Sequence, residues 1–455
     1  MRSWLLVAFA AALLMVSAVA VPQGASAEPC SPECLPPPDE NPEAPTLPKP
    51  PLLPRMLVVN IGWETERERT SAPLSTSTLT NHVEHLRNVV NPWFQSVSPL
   101  FKPWAIEAAG SYTITPPVTL VKSGGCDLAP NLESFKKDLL AAGDAAARAH
   151  GFDLSAYNTV VYVWSRNVCF GLEGFADTVT RRVALPTTDA AQHELGHLLG
   201  LPHANWARCK DASGNFVTLS NKCESIEYGD VFDTMGTTNN GVFNAIYQNR
   251  LGWMNGEVAH VNAGDFTQSW TLKPMSEPGQ GLRAIRLVDG PTTLWIEYRQ
   301  PTGGDAPRIP RQQELTYGVL IHREVEGRSQ ILDMTPPTSP FDPLEQPGMR
   351  AGQTWENPLG EMKITVTSRS LLAATVRISS RRVTVPEVRG LGADHARAVL
   401  EAARLKPVGF GPVVDHTCAF FGVVAQQEPF ANSRVLPGTQ VNVAIGEQDP
   451  FLPCF

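Results

Sequence analysis

Three histidines and a glutamate crowd one short stretch, His193-Glu194-Leu195-Gly196-His197-Leu198-Leu199-Gly200-Leu201-Pro202-His203. Residues four apart share a helix face, so a helix here aims the imidazoles of His193 and His197 at one ion. Glu194 is turned by about 100° around that helix and would reach a water beside the ion, not the ion itself. Gly200 tolerates positive φ and Pro202 cannot continue an α-helix, so the chain can turn and swing His203 back to the same place. Three protein ligands leave a fourth position open, the arrangement of catalytic zinc, with Glu194 as general base. A structural zinc would recruit a fourth protein ligand, often a thiolate, whereas the nearby cysteines are expected to be paired with each other.

These eleven residues fit H-E-x-x-H-x-x-G-x-x-H, and on that motif the chain resembles the metzincin zinc peptidases. That clan carries a Met-turn beneath its metal. The segment Glu227-Tyr228-Gly229-Asp230-Val231-Phe232-Asp233-Thr234-Met235-Gly236 is similar to the Met-turn of the gametolysin-like family, with Met235 as the floor of the site. Phe243-Asn244-Ala245 through Leu251-Gly252-Trp253 adds weaker similarity. The resemblance implies an α+β (α/β) catalytic domain, one catalytic Zn2+ held by His193, His197 and His203, and a protein or peptide substrate. It also implies hydrolysis in which zinc polarises the scissile carbonyl while Glu194 carries a proton from water to the leaving amine. Leu198 stands where gametolysin-like members often have asparagine, and no tyrosine closely follows Met235 as in astacins. No residue is therefore assigned to oxyanion stabilisation.

The elements that must position this motif follow from local pattern. Leu57-Val58-Val59-Asn60-Ile61 and Thr159 to Trp164 read as strands, and residues 77–94, 131–150 and 189–200 as helices. Alternating strands and helices give the mixed class expected over 56–255. Beyond Trp253, short alternating runs such as Leu294 to Tyr298, Gly318 to His322 and Lys363 to Val366 predict an all-β, sandwich-like domain over 256–380. Val385-Pro386-Glu387-Val388-Arg389-Gly390, Ala396-Arg397-Ala398-Val399-Leu400 and Pro437-Gly438-Thr439 resemble a PASTA domain, a small βα module, over 383–446, followed by a tail over 447–455. Modules of this kind occur in bacterial penicillin-binding proteins and serine/threonine kinases, and some bind cell-wall peptides. The resemblance implies a bacterial source and, for this module, either a peptidoglycan partner or a spacer role.

Residues 1–27 combine Arg2, an apolar run and Ala25-Ser26-Ala27, the pattern of a cleaved signal peptide, and 28–55 form a proline-rich linker. A secreted, extracellular protein is expected, cell-wall associated if the last module tethers it, with no transmembrane anchor. The 37 Lys and Arg against 45 Asp and Glu, a net charge of −8, give no basic patch for nucleic acid. The 8 cysteines predict disulfides, taken by proximity as Cys30–Cys34, Cys126–Cys169, Cys209–Cys223 and Cys418–Cys454. Cys30 or Cys34 as a latency thiolate is the weaker reading. His82 and His85 are expected to be exposed helix residues, and Asp230 and Asp233 to cap turns rather than bind calcium. The leading expectation is a secreted zinc metalloendopeptidase. The alternatives are a cell-wall adhesin with a silent peptidase domain and a zinc peptidase acting on cell-wall peptides.

Overall fold

The computed structural model describes residues 55–62, 76–114, 132–164, 174–236, 241–305, 317–336, 347–358 and 360–448. The expected signal peptide, the linker up to residue 54, and Cys30, Cys34, Cys126, Cys169 and Cys454 lie outside them.

The apolar run at β1 (Arg55–Gly62) is buried at every position but the first, as in a strand covered on both faces. It pairs in parallel with β2 (Ala105–Thr113) and β3 (Thr159–Val163). Next come the short β4 (Phe175–Asp177) and β5 (Arg182–Leu185), giving the order β2-β1-β3-β5-β4 with β4 antiparallel at the edge. Side-chain alternation splits the sheet into two faces. Val58, Val161, Val183 and Leu185 pack with the helices α1 (Thr76–His85) and α2 (Asn91–Val97), which a π-helical turn joins. Leu57, Val160, Tyr162 and Ala184 meet Phe135 and Leu139 of α3 (Leu132–Ala149).

The histidine-bearing helix α4 (Ala191–Leu198) lies on the first face, its Ala191, Leu195 and Leu198 in that core. It is entered through a 3-10 turn where the Thr187 hydroxyl accepts the Asp189 N–H. It stops at Gly200, whose φ of +86° lets Leu201 N–H return to Gly196 O at 3.1 Å.

After the turn the chain enters β6 (Asn205–Lys210), β7 (Phe216–Val217) and β8 (Cys223–Ile226), with Cys209 and Cys223 in a disulfide as expected. α5 (Ala245–Arg250) follows, then β9 (Val258–Asn262), β10 (Asp265–Leu272), β11 (Ala284–Asp289), β12 (Thr292–Tyr298), β13 (Val319–Val325) and β14 (Arg328–Leu332). β6 pairs in parallel with β14, so β6, β7 and β8 belong to the same eight-stranded sheet as β9 and β11 to β14. The expected boundary at residue 255 falls inside this strand set. A smaller sheet of β10, β15 (Thr354–Glu356), β16 (Met362–Arg369) and β17 (Ala374–Arg381) packs against it. Ile285, Leu294 and Ile321 meet Ile364, Val376 and Ile378 in one core between the two sheets.

The last module holds β18 (Val383–Thr384), α6 (Ala393–Ala402), β19 (Lys406–Asp415), β20 (Val424–Glu428), β21 (Arg434–Val435) and β22 (Gln440–Gln448), with its own core of Val385, Leu400, Val424 and Val441. Cys418 is disulfide-bonded. Among the described residues no helix is long and apolar enough to cross a membrane.

The shared sheet yields a test by truncation. A chain ending at Gly256 strips β14 from β6 and removes Tyr317, Leu320 and Ile331 from the cluster around Trp206 and Phe232. It is expected not to fold, whereas a chain ending at Arg382 keeps both sheets and is expected to fold cooperatively. Near-ultraviolet circular dichroism and thermal melting check both.

Candidate metal centre

The ligand atoms of His193, His197 and His203 lie within 4.8 Å of one another, the one such cluster of metal-binding side chains among the described residues. His193 and His197 come from one face of α4, and the turn at Gly200 returns His203 to them. Their orientations are set from behind. His193 Nδ1 donates to Thr234 O at 2.7 Å, His197 Nδ1 to Leu201 O at 2.8 Å, and His203 Nδ1 to the Glu227 carboxylate at 2.6 Å. Each acceptor has lone pairs only, so each neutral ring carries its proton on Nδ1 and turns a bare lone pair inward on Nε2.

His197 Nε2 and His203 Nε2 stand 3.1 Å apart. Two lone pairs at that distance repel unless a cation sits between them. A tetrahedral ion with Zn–N bonds of about 2.0–2.1 Å sets its nitrogens about 3.3 Å apart, so the donor set is compatible with zinc.

Burial, with the neighbouring imidazoles, pushes both His193 and His197 down to about 4. Each therefore stays neutral, the ligating form, well below its ordinary value of 6.5.

Glu194 is 6% exposed. The backbone at Gly174, just before edge strand β4, lies against it: a Cβ there would stand 3.1 Å from Glu194 Oε1 and 2.9 Å from Leu185 Cδ2. Only glycine lets strand and carboxylate approach so closely. Gly196 has the same role underneath, where a Cβ would stand far closer to the Met235 sulfur than van der Waals contact allows. Met235 is fully buried, with its sulfur against Gly196 of the helix.

Four contributors escaped the reading by pattern, Gly174 among them. Glu227 and Gly196 lie inside quoted segments without a role, although a carboxylate placed to orient a ligand is a usual companion of histidine sites. Tyr228 is 47% exposed with φ +58°, and its ring centroid lies 3.9 Å from that of His203. It walls the His203 side of the cluster.

Asp230 and Asp233 do cap their turn, accepting the N–H groups of Phe232 and Met235. Both are fully buried, and Asp230 also meets His322. His82 and His85 both depart from the exposed position expected, each being half-buried; His82 stands near Thr188, and burial pulls its pKa down.

Residues 383–447 match the PASTA domain family. That agrees with the module expected over 383–446. No curated protein matches the chain.

Two outcomes follow. Glu227→Gln keeps a hydrogen-bond acceptor but removes the charge behind His203, and a 10–100-fold weaker zinc affinity is expected by chelator competition. Metal-free protein should lose stability as pH falls from 6.5 towards about 4, because in that window the unfolded chain binds protons that His193 and His197 refuse when folded. This contribution levels off below about 4. Denaturant titration in chelator should give that slope, and the double variant His193→Gln, His197→Gln should lose it.

Proposed function

We propose that this chain is a secreted zinc-dependent endopeptidase that hydrolyses protein peptide bonds. The observation carrying the reading is the convergence of three Nε2 lone pairs, each ring fixed through Nδ1, with the Glu194 carboxylate on the same helix. The H-E-x-x-H-x-x-G-x-x-H resemblance to metzincins, and that of the Met235 turn to the gametolysin-like family, support it further.

His193, His197 and His203 would hold the ion through Nε2. A bound zinc would supply a Lewis acid that acidifies water and polarises a carbonyl oxygen. Glu194 accepts the proton of the attacking water and returns it to the amine nitrogen as the peptide bond breaks. Burial excludes bulk water from that carboxylate and keeps the proton local. Thr234 O, Leu201 O and Glu227 hold the three rings still, so little reorganisation accompanies the reaction.

The PASTA match favours a second reading for the substrate, namely peptides of the bacterial cell wall, with residues 383–447 as the tether. An adhesin with a silent site is the reading outside enzymology, and a buried Glu194 beside three converging ligands argues against it.

Glu194→Gln preserves shape and removes the base. It is expected to retain equimolar zinc and to cut about 10²–10⁴-fold more slowly than wild type. Wild type and variant should be incubated with casein and with purified peptidoglycan. Cleavage of wall peptides alone would move the substrate to the cell wall, and zinc binding with neither substrate cut would favour the adhesin.

A further inference from the structure

The Met-turn is gripped from a part of the chain that carries no ligand. His322 on β13 and Asp230 in the turn are both fully buried, and His322 Nε2 donates to Asp230 Oδ2 at 2.9 Å. Asp230 Oδ1 accepts Phe232 N–H at 3.0 Å. The Asp230 N–H bonds Ala204 O at 3.3 Å, and Ala204 N–H bonds Met235 O at 2.9 Å, lacing the turn to the residue that follows His203. Thr234, inside the same turn, holds His193 Nδ1. One small loop therefore sets the aim of two of the three ligands, and its Asp230 anchor is His322.

The exit from the loop is held by neighbours of His322. Glu297 on β12 accepts Ala245 N–H at 2.7 Å and Arg299 Nε at 2.7 Å. Arg299 donates to Val242 O at 2.9 Å, and Asp305 accepts Val242 N–H at 2.7 Å. Buried ionic groups are a poor source of stability compared with apolar residues of equal volume, so their presence argues for holding one geometry.

We propose that His322 is a positioning residue of the metal centre, acting through Asp230 to fix the Met-turn and thereby the orientations of His193 and His203. The inference rests on the zinc reading of the site but not on proteolysis.

His322→Phe fills the ring's volume without an N–H donor. Zinc affinity should fall about 10–100-fold, the size usual when support behind a ligand is lost. The visible bands of the cobalt-substituted protein should shift, and kcat should fall with KM unchanged. His322→Gln, which restores a donor, should recover most of each. Unchanged zinc affinity and cobalt spectrum in His322→Phe, with only a lower melting temperature, would reduce His322 to a structural brace and overturn the proposal.

Should His322→Phe not fold, wild-type protein carries the test. Metal and His322 are coupled reciprocally in this proposal. The 15N shift of His322 Nε2 should differ between zinc-loaded and chelated protein, and identical shifts overturn it. Affinity, cobalt spectrum and shift are all read whether or not the chain cuts casein, so a failed peptidase assay stays separate from a failed positioning role.

Discussion

Imidazole nitrogens with lone pairs aimed at one point repel each other, and where burial is partial, as around these three rings, solvent softens the repulsion only in part. The fold holds His193, His197 and His203 against that tendency by engaging every Nδ1 from behind, twice with backbone carbonyls and once with Glu227. The carbonyls of Leu201 and Thr234 and the Glu227 carboxylate can only accept, so the tautomer of each ring is dictated by its surroundings. Much else near the site serves this constraint: the positive φ of Gly200, the missing Cβ of Gly196 over Met235, and the Tyr247 hydroxyl bonded to His203 O at 2.7 Å.

The same demand explains why the β-rich half cannot be an appendage. Asp230, Asp233, Glu297 and Asp305 are buried together with Arg299 and His322, an excess of acid over base. Burial and the Asp230 carboxylate push Asp233 above the ordinary carboxylate range, and burial raises Asp305 in the same way. Backbone N–H groups of Phe232, Met235, Val242, Asn244 and Ala245 offset part of this cost by donating into the cluster. Those donors belong to the turn of Asp230 to Met235 and to the segment leading into α5, while Glu297, Arg299 and Asp305 come from β12 and the loop after it. Each half lacks hydrogen-bond partners for its buried groups without the other.

How much of this could be read from sequence depended on range. The i, i+4 pair of His193 and His197 is legible because helix geometry alone joins the two. Gly200, Pro202 and His203 are legible because a break followed by a ligand has few local outcomes. The continuous apolar run of β1 and the alternation in β12 and β16 were equally plain. Met235 was legible only by resemblance, since a methionine before glycine has no local signature. Glu227, Gly174 and His322 were not legible, because their roles arise where segments distant in sequence meet. The parallel register of Gln330 with Asn205 is of the same kind, and it carries β6 across the boundary expected at 255. Two consecutive segments of different local pattern gave no hint that they weave one sheet.

The linkage at Arg382 has a mechanical consequence. Its guanidinium is ion-paired with Asp289 on β11 and with Glu361 just before β16, at the point where β17 gives way to the PASTA module. A pull on that module would arrive along β17, which is laddered to β10 on one side and β16 on the other. Load along a central strand strains many ladder bonds at once, as in a lap joint, instead of peeling them singly. The strain would enter the smaller sheet first, which holds none of the three histidines.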